Sequence, residues 1–246
     1  MEFYIGDPHS QLDHWEHQNM PDNCAVAAQS SILNQFGFDV SLDEANYVAV
    51  SNGWYTPGFG TSPDDVGNLL EAYGVPTHSV ENASIQQLAG ELQQGHSVIV
   101  GVNCDQLWDQ GPMAEFQNWL VKAFGLDNSV SSPANHAVVV TGIDLSDMKN
   151  PQVIINDPGD PDGAGHHYPL DRFADAWENS DFHYVATSVP PGDSGAVAFN
   201  IGEFLGWGTT AVAYVAGFDP VSAVQAGRFV HSIVDDTDWD TLLTSI

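Results

Sequence analysis

The chain has 246 residues, 43% of them hydrophobic and 11% aromatic, with 33 Asp and Glu against 4 Lys and Arg, a formal charge of −29. That is enough apolar material for one large domain, or one domain with an appendage, and it excludes wholesale disorder. Such a surface repels phosphate backbones and anionic membranes, which sets nucleic-acid binding aside.

In chain order, residues 22–36 predict a helix: Asp22 or Asn23 can cap it, Ala25, Ala28, Ile32 and Phe36 recur at helical spacing, and Gly37 stops it. "SLDEANYVAVSNG" (41–53) predicts a second helix, capped by Ser41 with Glu44 three residues on. "TSPDDVGNLLEAYGV" (61–75) reads as a third, with Ser62 as cap, Pro63 in the first turn and Gly74 as terminator. A fourth is expected over 84–95. The pattern then changes to short β-branched runs at 96–103, 136–144, 152–159 and 181–189. Between them lie "MAEFQNWLVKAFG" (113–125), a helix or insertion, and a short helix over 169–180. Helices first and strands second is the α+β pattern with an antiparallel sheet. "PPGDSG" (190–195) breaks the chain, so 1–190 is expected as the main domain and 191–246 as a C-terminal extension that packs on a partner, a second copy or the domain itself. Within that extension, 195–218 is apolar but carries Asn200 and Glu203 and lacks flanking positive charge, so it reads as a buried helix or strand pair, not a membrane span. No secretory signal opens the chain as given, and a soluble protein is expected, cytoplasmic or exported by a non-classical route.

The chain has two cysteines, Cys24 and Cys104, with no CxxC spacing, which leaves a single disulfide open. Cys24 falls at a helix start, where unpaired N–H groups and the helix dipole favour a thiolate, the reactive form of cysteine. Cys104 follows a strand and reads as a packed or partly exposed thiol. A nucleophile needs a base, and the base needs an orienting group. His136 opens a strand after the "SSPAN" turn, and Asp157 ends the next strand in "INDPG". If those strands pair through "LSDMKNP", both residues lie at one sheet end, and Asp157 can hold one ring nitrogen of His136 while the other faces Cys24. Asn156 and Asn135 are alternatives for the third position. Gln18, one loop upstream of Cys24, can offer an amide N–H to a developing oxyanion. The aspartates of "DPGDPDGAGHH" do not follow a calcium-loop spacing and read as a glycine-rich turn. His9, His14 and His17 surround Trp15 as surface or cleft-lining residues, and His17 adjoins Gln18. No metal or other cofactor is expected.

Taken together, "QNMPDNCAVAA", "NHAVVVTG" and "INDPG" resemble the papain-like cysteine peptidases, and among them the stand-alone, transporter-free branch of the bacterial double-glycine leader peptidases (C39-like) over about residues 10–190. The resemblance implies a papain-like fold with a helical half carrying the nucleophile and a β half carrying the base. It implies Cys24 as nucleophile, His136 as general base and acid, Asp157 as orienter and Gln18 in the oxyanion hole, acting on a peptide or protein substrate. The usual Cys-Gly pair is Cys24-Ala25 here, and no GxxxxGK[ST] motif occurs. Two rival expectations share the same residues: a catalytically weak peptide-binding module, and a transpeptidase or deamidase.

Overall fold

A computed structural model of the chain describes residues 3–108 and 134–192. The expected helix at 113–125 and the apolar stretch at 195–218 lie outside the described residues. The chain divides into two compact units, Met1–Ala196 and Val197–Ile246, and all the described residues belong to the first.

Its elements are β1 (Tyr4–Gly6), α1 (Pro8–Gln11), α2 (Cys24–Gln35), α3 (Leu42–Asn52), α4 (Asn68–Ala72), β2 (Thr77–Val80), α5 (Ile85–Gln93), β3 (Val98–Val102), α6 (Cys104–Leu107), β4 (His136–Asp144), β5 (Gln152–Asn156), β6 (His166–Pro169), α7 (Leu170–Glu178) and β7 (Tyr184–Thr187). Seven strands form one antiparallel sheet in the order β2-β7-β3-β4-β5-β6, with β1 on β4. The α+β expectation is met, with the helix that begins at Cys24 in the first half and the sheet mainly in the second. Among the described residues, no helix is long and apolar enough to cross a membrane.

Side chains alternate across the sheet, so its two faces bury different partners. Val98, Val100, Val102, Val138, Val140, Val153 and Ile155 share a core with Leu88 and Leu92 of α5 and Phe173 and Trp177 of α7. The intervening Ile99, Val139 and Ile154 are as deeply buried, and α2 packs on β4. The 145–151 turn joins β4 to β5 as a hairpin, with a register shift between Val140 and Gly142. His136 therefore opens β4 at the sheet end where β5 finishes, one residue before Asp157.

One expectation is corrected at this level. The predicted helix after Ser62 breaks into a 3-10 turn, Pro63–Asp65, and the separate α4. The cause is Gly67: its φ is +104°, and an added Cβ would lie 2.9 Å from the Thr77 hydroxyl and 3.1 Å from Val185. Gln29, buried inside α2, closes the break by accepting N–H bonds from Gly67 (2.9 Å) and Leu69 (3.2 Å) while donating to the Ala25 carbonyl (3.0 Å). His166 and His167 follow the glycine-rich turn. They form the edge strand β6, where His166 meets Asp160 (3.4 Å) and His167 meets Gln152 (3.1 Å).

Gln29→Leu keeps the volume of the side chain and strips two buried N–H groups of their acceptor. A loss of about 2–4 kcal/mol in unfolding free energy is expected, read as a fall in the urea midpoint.

Candidate active site

Cys24 takes the first turn of α2, and the residue before it sets that turn. Asn23 occupies the N-cap position, yet its side chain makes no capping bond. It is fully buried and accepts from the Met20 N–H (3.1 Å) while donating to Asn19 and Asn46 (both 2.9 Å). Asn46 donates in turn to Asn19, and Asn19 to Asp43 of α3. This asparagine knot pins the 19–23 loop to α3. On its other side, the Asp22 carboxylate accepts from the Tyr55 hydroxyl (2.7 Å) and the Gly58 N–H. The 19–23 loop is thus held from both flanks, and the half-buried Cys24 faces a cleft.

His136 and Asp157 come together as the hairpin requires. His136 Nε2 lies 2.6 Å from Asp157 Oδ1, which leaves Nδ1 as the ring nitrogen free for Cys24. The His136 ring lies close enough to the Cys24 thiol for each to shift the other's protonation, and both line one cleft. Asp157 has no exposed surface, so every lone pair it keeps ionised must find a donor. Oδ1 also accepts from the Gly159 N–H (2.8 Å), and Oδ2 accepts from the indole N–H of Trp108 (2.8 Å). The Asp157 carbonyl accepts from the indole N–H of Trp15 (2.7 Å). The two alternatives for the third position bond elsewhere: Asn156 to the Gln11 carbonyl and the Gly165 N–H, and Asn135 to the Cys104 N–H.

The Gln18 backbone N–H donates to the Pro158 carbonyl (2.8 Å), placing the residue beside the Asp157 turn. One of its amide protons is spent within its own loop, on the Met20 carbonyl (2.9 Å), and its Oε1 is buried without a partner. The structure thus brings Cys24, His136 and Asp157 into one chain of contacts and leaves Gln18 with one amide proton uncommitted. His17 is exposed, with its ring 6.1 Å from that of Trp15. Of that segment it is Trp15, not His17, that reaches the site.

The electrostatics follow from burial opposed by pairing. Burial pushes the Cys24 thiol up, but the hydrogen bond and charge of His136 and the N–H groups of Ala137 and Ala25 outweigh it, and the thiol sits below its ordinary range. Burial pushes His136 down, and its bonds to Asp157 and Cys24 overturn that, raising it to about 9. Burial pushes Asp157 up, while His136, Trp108 and the Gly159 N–H bring it below the usual carboxylate range. The thiol lowered and the imidazole raised are shifts in the two directions that favour a thiolate beside an imidazolium. Cys104 behaves oppositely: burial and the charge of Asp105 push it up.

Trp15 and Trp108 are the functional neighbours that sequence pattern did not single out. Trp108 stands over the His136 ring, with centroids 5.6 Å apart at 63°. Gly159 is required at its position by contact: a Cβ there would lie 2.8 Å from His136 Cε1 and 3.1 Å from the Trp108 ring. The cleft on which Cys24 and His136 open has a volume of about 820 Å³. Asp64, Glu81 and Asp181 are among its lining residues, and among the described residues no lysine or arginine lines it. The described residues also contain no group of His, Cys, Asp and Glu able to hold a metal ion.

The model of the Peptidase_C39 like family matches residues 4–185 of the chain. Uncharacterized proteins of Mycobacterium tuberculosis and Mycobacterium bovis are 30% identical over 212 residues, covering 74% of this chain and 84% of theirs. Among solved structures, a protein described as a C39-like peptidase from Bacillus anthracis is 17% identical at a TM-score of 0.47, covering 72% of this chain and 94% of that one. The peptidase domain of Streptococcus ComA, a bi-functional ABC transporter, is 19% identical at a TM-score of 0.46, covering 70% and 96%.

Alkylation of Cys24 by iodoacetamide should already be fast at pH 7, well below the ordinary thiol range. His136→Ala removes the pairing and leaves burial to raise the thiol, so the labelling curve should move to higher pH. Cys104, followed in the same digest by mass spectrometry, should label slowly at pH 7 in both proteins.

Proposed function

The chain belongs to the Peptidase_C39 like family, and from that membership we propose that it is a cysteine peptidase working through Cys24, His136, Asp157 and Gln18. The observation that carries this reading is the continuous chain from thiol to imidazole to buried carboxylate, with the carboxylate 2.6 Å from the ring.

In this reaction the thiolate of Cys24 attacks the carbonyl carbon of a peptide bond. The carbonyl oxygen gains the negative charge, and the uncommitted amide proton of Gln18 and the N–H groups at the head of α2 are the donors that receive it. His136 gives its Nδ1 proton to the leaving amine, and the C–N bond breaks to leave a thioester on Cys24. Neutral His136 then takes a proton from water, whose oxygen attacks the thioester, and thiolate and acid product are released. Asp157 stays ionised throughout and holds the ring so that Nδ1 faces the sulfur. The peptidase unit ends near residue 190, and residues 191–246 form an extension to it.

The cleft charge adds a direction to substrate choice. Asp64, Glu81 and Asp181 line it with no lysine or arginine beside them among the described residues, so a peptide carrying Lys or Arg near the scissile bond is drawn in at low salt.

Cleavage of a peptide library, read by mass spectrometry, tests the activity. Cys24→Ala should lose it by about 10³-fold or more, and Asp157→Asn by about 10²-fold or more, with the fold intact. Wild-type protein that labels rapidly at Cys24 yet cleaves nothing would favour the binding-module alternative. Replacing Lys by Gln in a cleaved peptide should lower kcat/KM at low ionic strength, and the difference should shrink as salt is raised. An unchanged rate would remove the charge preference.

A further inference from the structure

Trp108 is placed by a short covalent path from the sheet. Val102, the last residue of β3, stands opposite His136 in the ladder. Asn103 then turns the chain, its side chain accepting from the Asp105 and Gln106 N–H groups at the start of α6. Asn135, next to His136, accepts from the Cys104 N–H (2.9 Å). α6 closes with the Trp108 N–H on the Cys104 carbonyl (2.9 Å), and the indole falls across the His136–Asp157 pair. Core packing does not account for this residue: Trp108 remains 37% exposed, whereas Trp177 in the core is fully buried. What the indole does contact is specific, with its N–H on Asp157 Oδ2 and its ring edge-on to the imidazole.

We propose that Trp108 is a positioning residue for catalysis, acting through Asp157: its N–H fixes the rotation of the carboxylate so that Oδ1 meets His136, and its ring keeps water off that bond. A carboxylate can rotate about its own bond, and a water bonded at either oxygen would compete with the imidazole. Gly159 holds Oδ1 from the turn side, and Trp108 holds Oδ2 from the other. Two fixed donors on different oxygens leave one orientation. The inference rests on reading Cys24 and His136 as the reacting pair, and it adds a residue that neither family membership nor sequence pattern assigns.

The test uses the full chain and the pH dependence of Cys24 alkylation, with Cys104 as internal reference, in wild type, Trp108→Phe, Asp157→Asn and the double variant. Trp108→Phe keeps a ring and removes the donor. It should label Cys24 about tenfold more slowly at pH 7, the size expected for losing one hydrogen bond to a charged group, with the curve displaced to higher pH. In the Asp157→Asn background the same substitution should cost nothing further, because its effect is routed through the carboxylate. Cys104 also senses the Asp157 charge, so it serves as reference within each pair that shares residue 157, wild type with Trp108→Phe and Asp157→Asn with the double variant. Labelling of Trp108→Phe at the wild-type rate, or a loss that multiplies with that of Asp157→Asn, overturns the inference. An independent measurement needs no variant. In wild-type protein the His136 Nε2 proton should give a slowly exchanging downfield resonance with a cross-peak to the Trp108 indole proton; its absence also overturns the inference. If wild-type Cys24 labels no faster than Cys104, it is the peptidase reading itself that fails, a result distinct from either outcome for Trp108.

Discussion

A carboxylate with no access to water is costly to keep ionised, and Asp157 is such a group. Much of the site follows from meeting that cost. The turn after β5 brings the Gly159 N–H onto one oxygen, α6 brings an indole N–H onto the other, and β4 opens with the imidazole that shares the first. The same turn takes Trp15 on its Asp157 carbonyl and Gln18 on its Pro158 carbonyl. The segment leading into the Cys24 helix is thereby anchored to the loop that holds the acid. The shifts of the other two groups are a consequence: an ionised, dry carboxylate raises His136, and His136 in turn lowers Cys24.

The composition shapes how such costs are met. With 4 Lys and Arg in the whole chain, histidines and amides stand where longer cations commonly would. His136 pairs with Asp157, His78 and His96 with Glu91, and His166 with Asp160. Glu91 also accepts from the Tyr184 hydroxyl, and it lies below the usual carboxylate range despite burial. Around the loop before Cys24 the amides of Asn19, Asn23 and Asn46 do much of this work, joined by the carboxylates of Asp22 and Asp43.

Strong local patterns made part of this legible. β4 and β5 announce themselves as β-branched runs flanking a short turn, and that turn alone implies that His136 and Asp157 share a sheet end. α5 is legible because Ser84 and Gln87 form a reciprocal capping box. β1, β2 and β6 are not, because each is three or four residues long and largely half-buried at an edge or end of the sheet, so neither length nor alternation marks it. The helix predicted after Ser62 fails on tertiary grounds: Gly67 is pressed against Thr77 and Val185, contacts that propensity does not contain. Trp108 was beyond pattern for a related reason. Its partner lies 49 positions away, and nothing in "CDQLW" distinguishes an indole aimed at a carboxylate from one facing solvent.

The order in which the chain is made gives the wiring of the sheet a temporal meaning. Tyr4 pairs opposite Asp144, Trp15 reaches Asp157 across 142 positions, and Asn156 reaches back 145 positions to Gln11. Contacts so distant in sequence form late, since long loops must close before they are rewarded. A ribosome exposes Cys24 early, but His136 and the turn after Asp157 emerge only near the end of the first unit. The pairing that lowers the Cys24 thiol therefore forms only once that unit is nearly complete, and a chain stalled before β4 carries Cys24 without it.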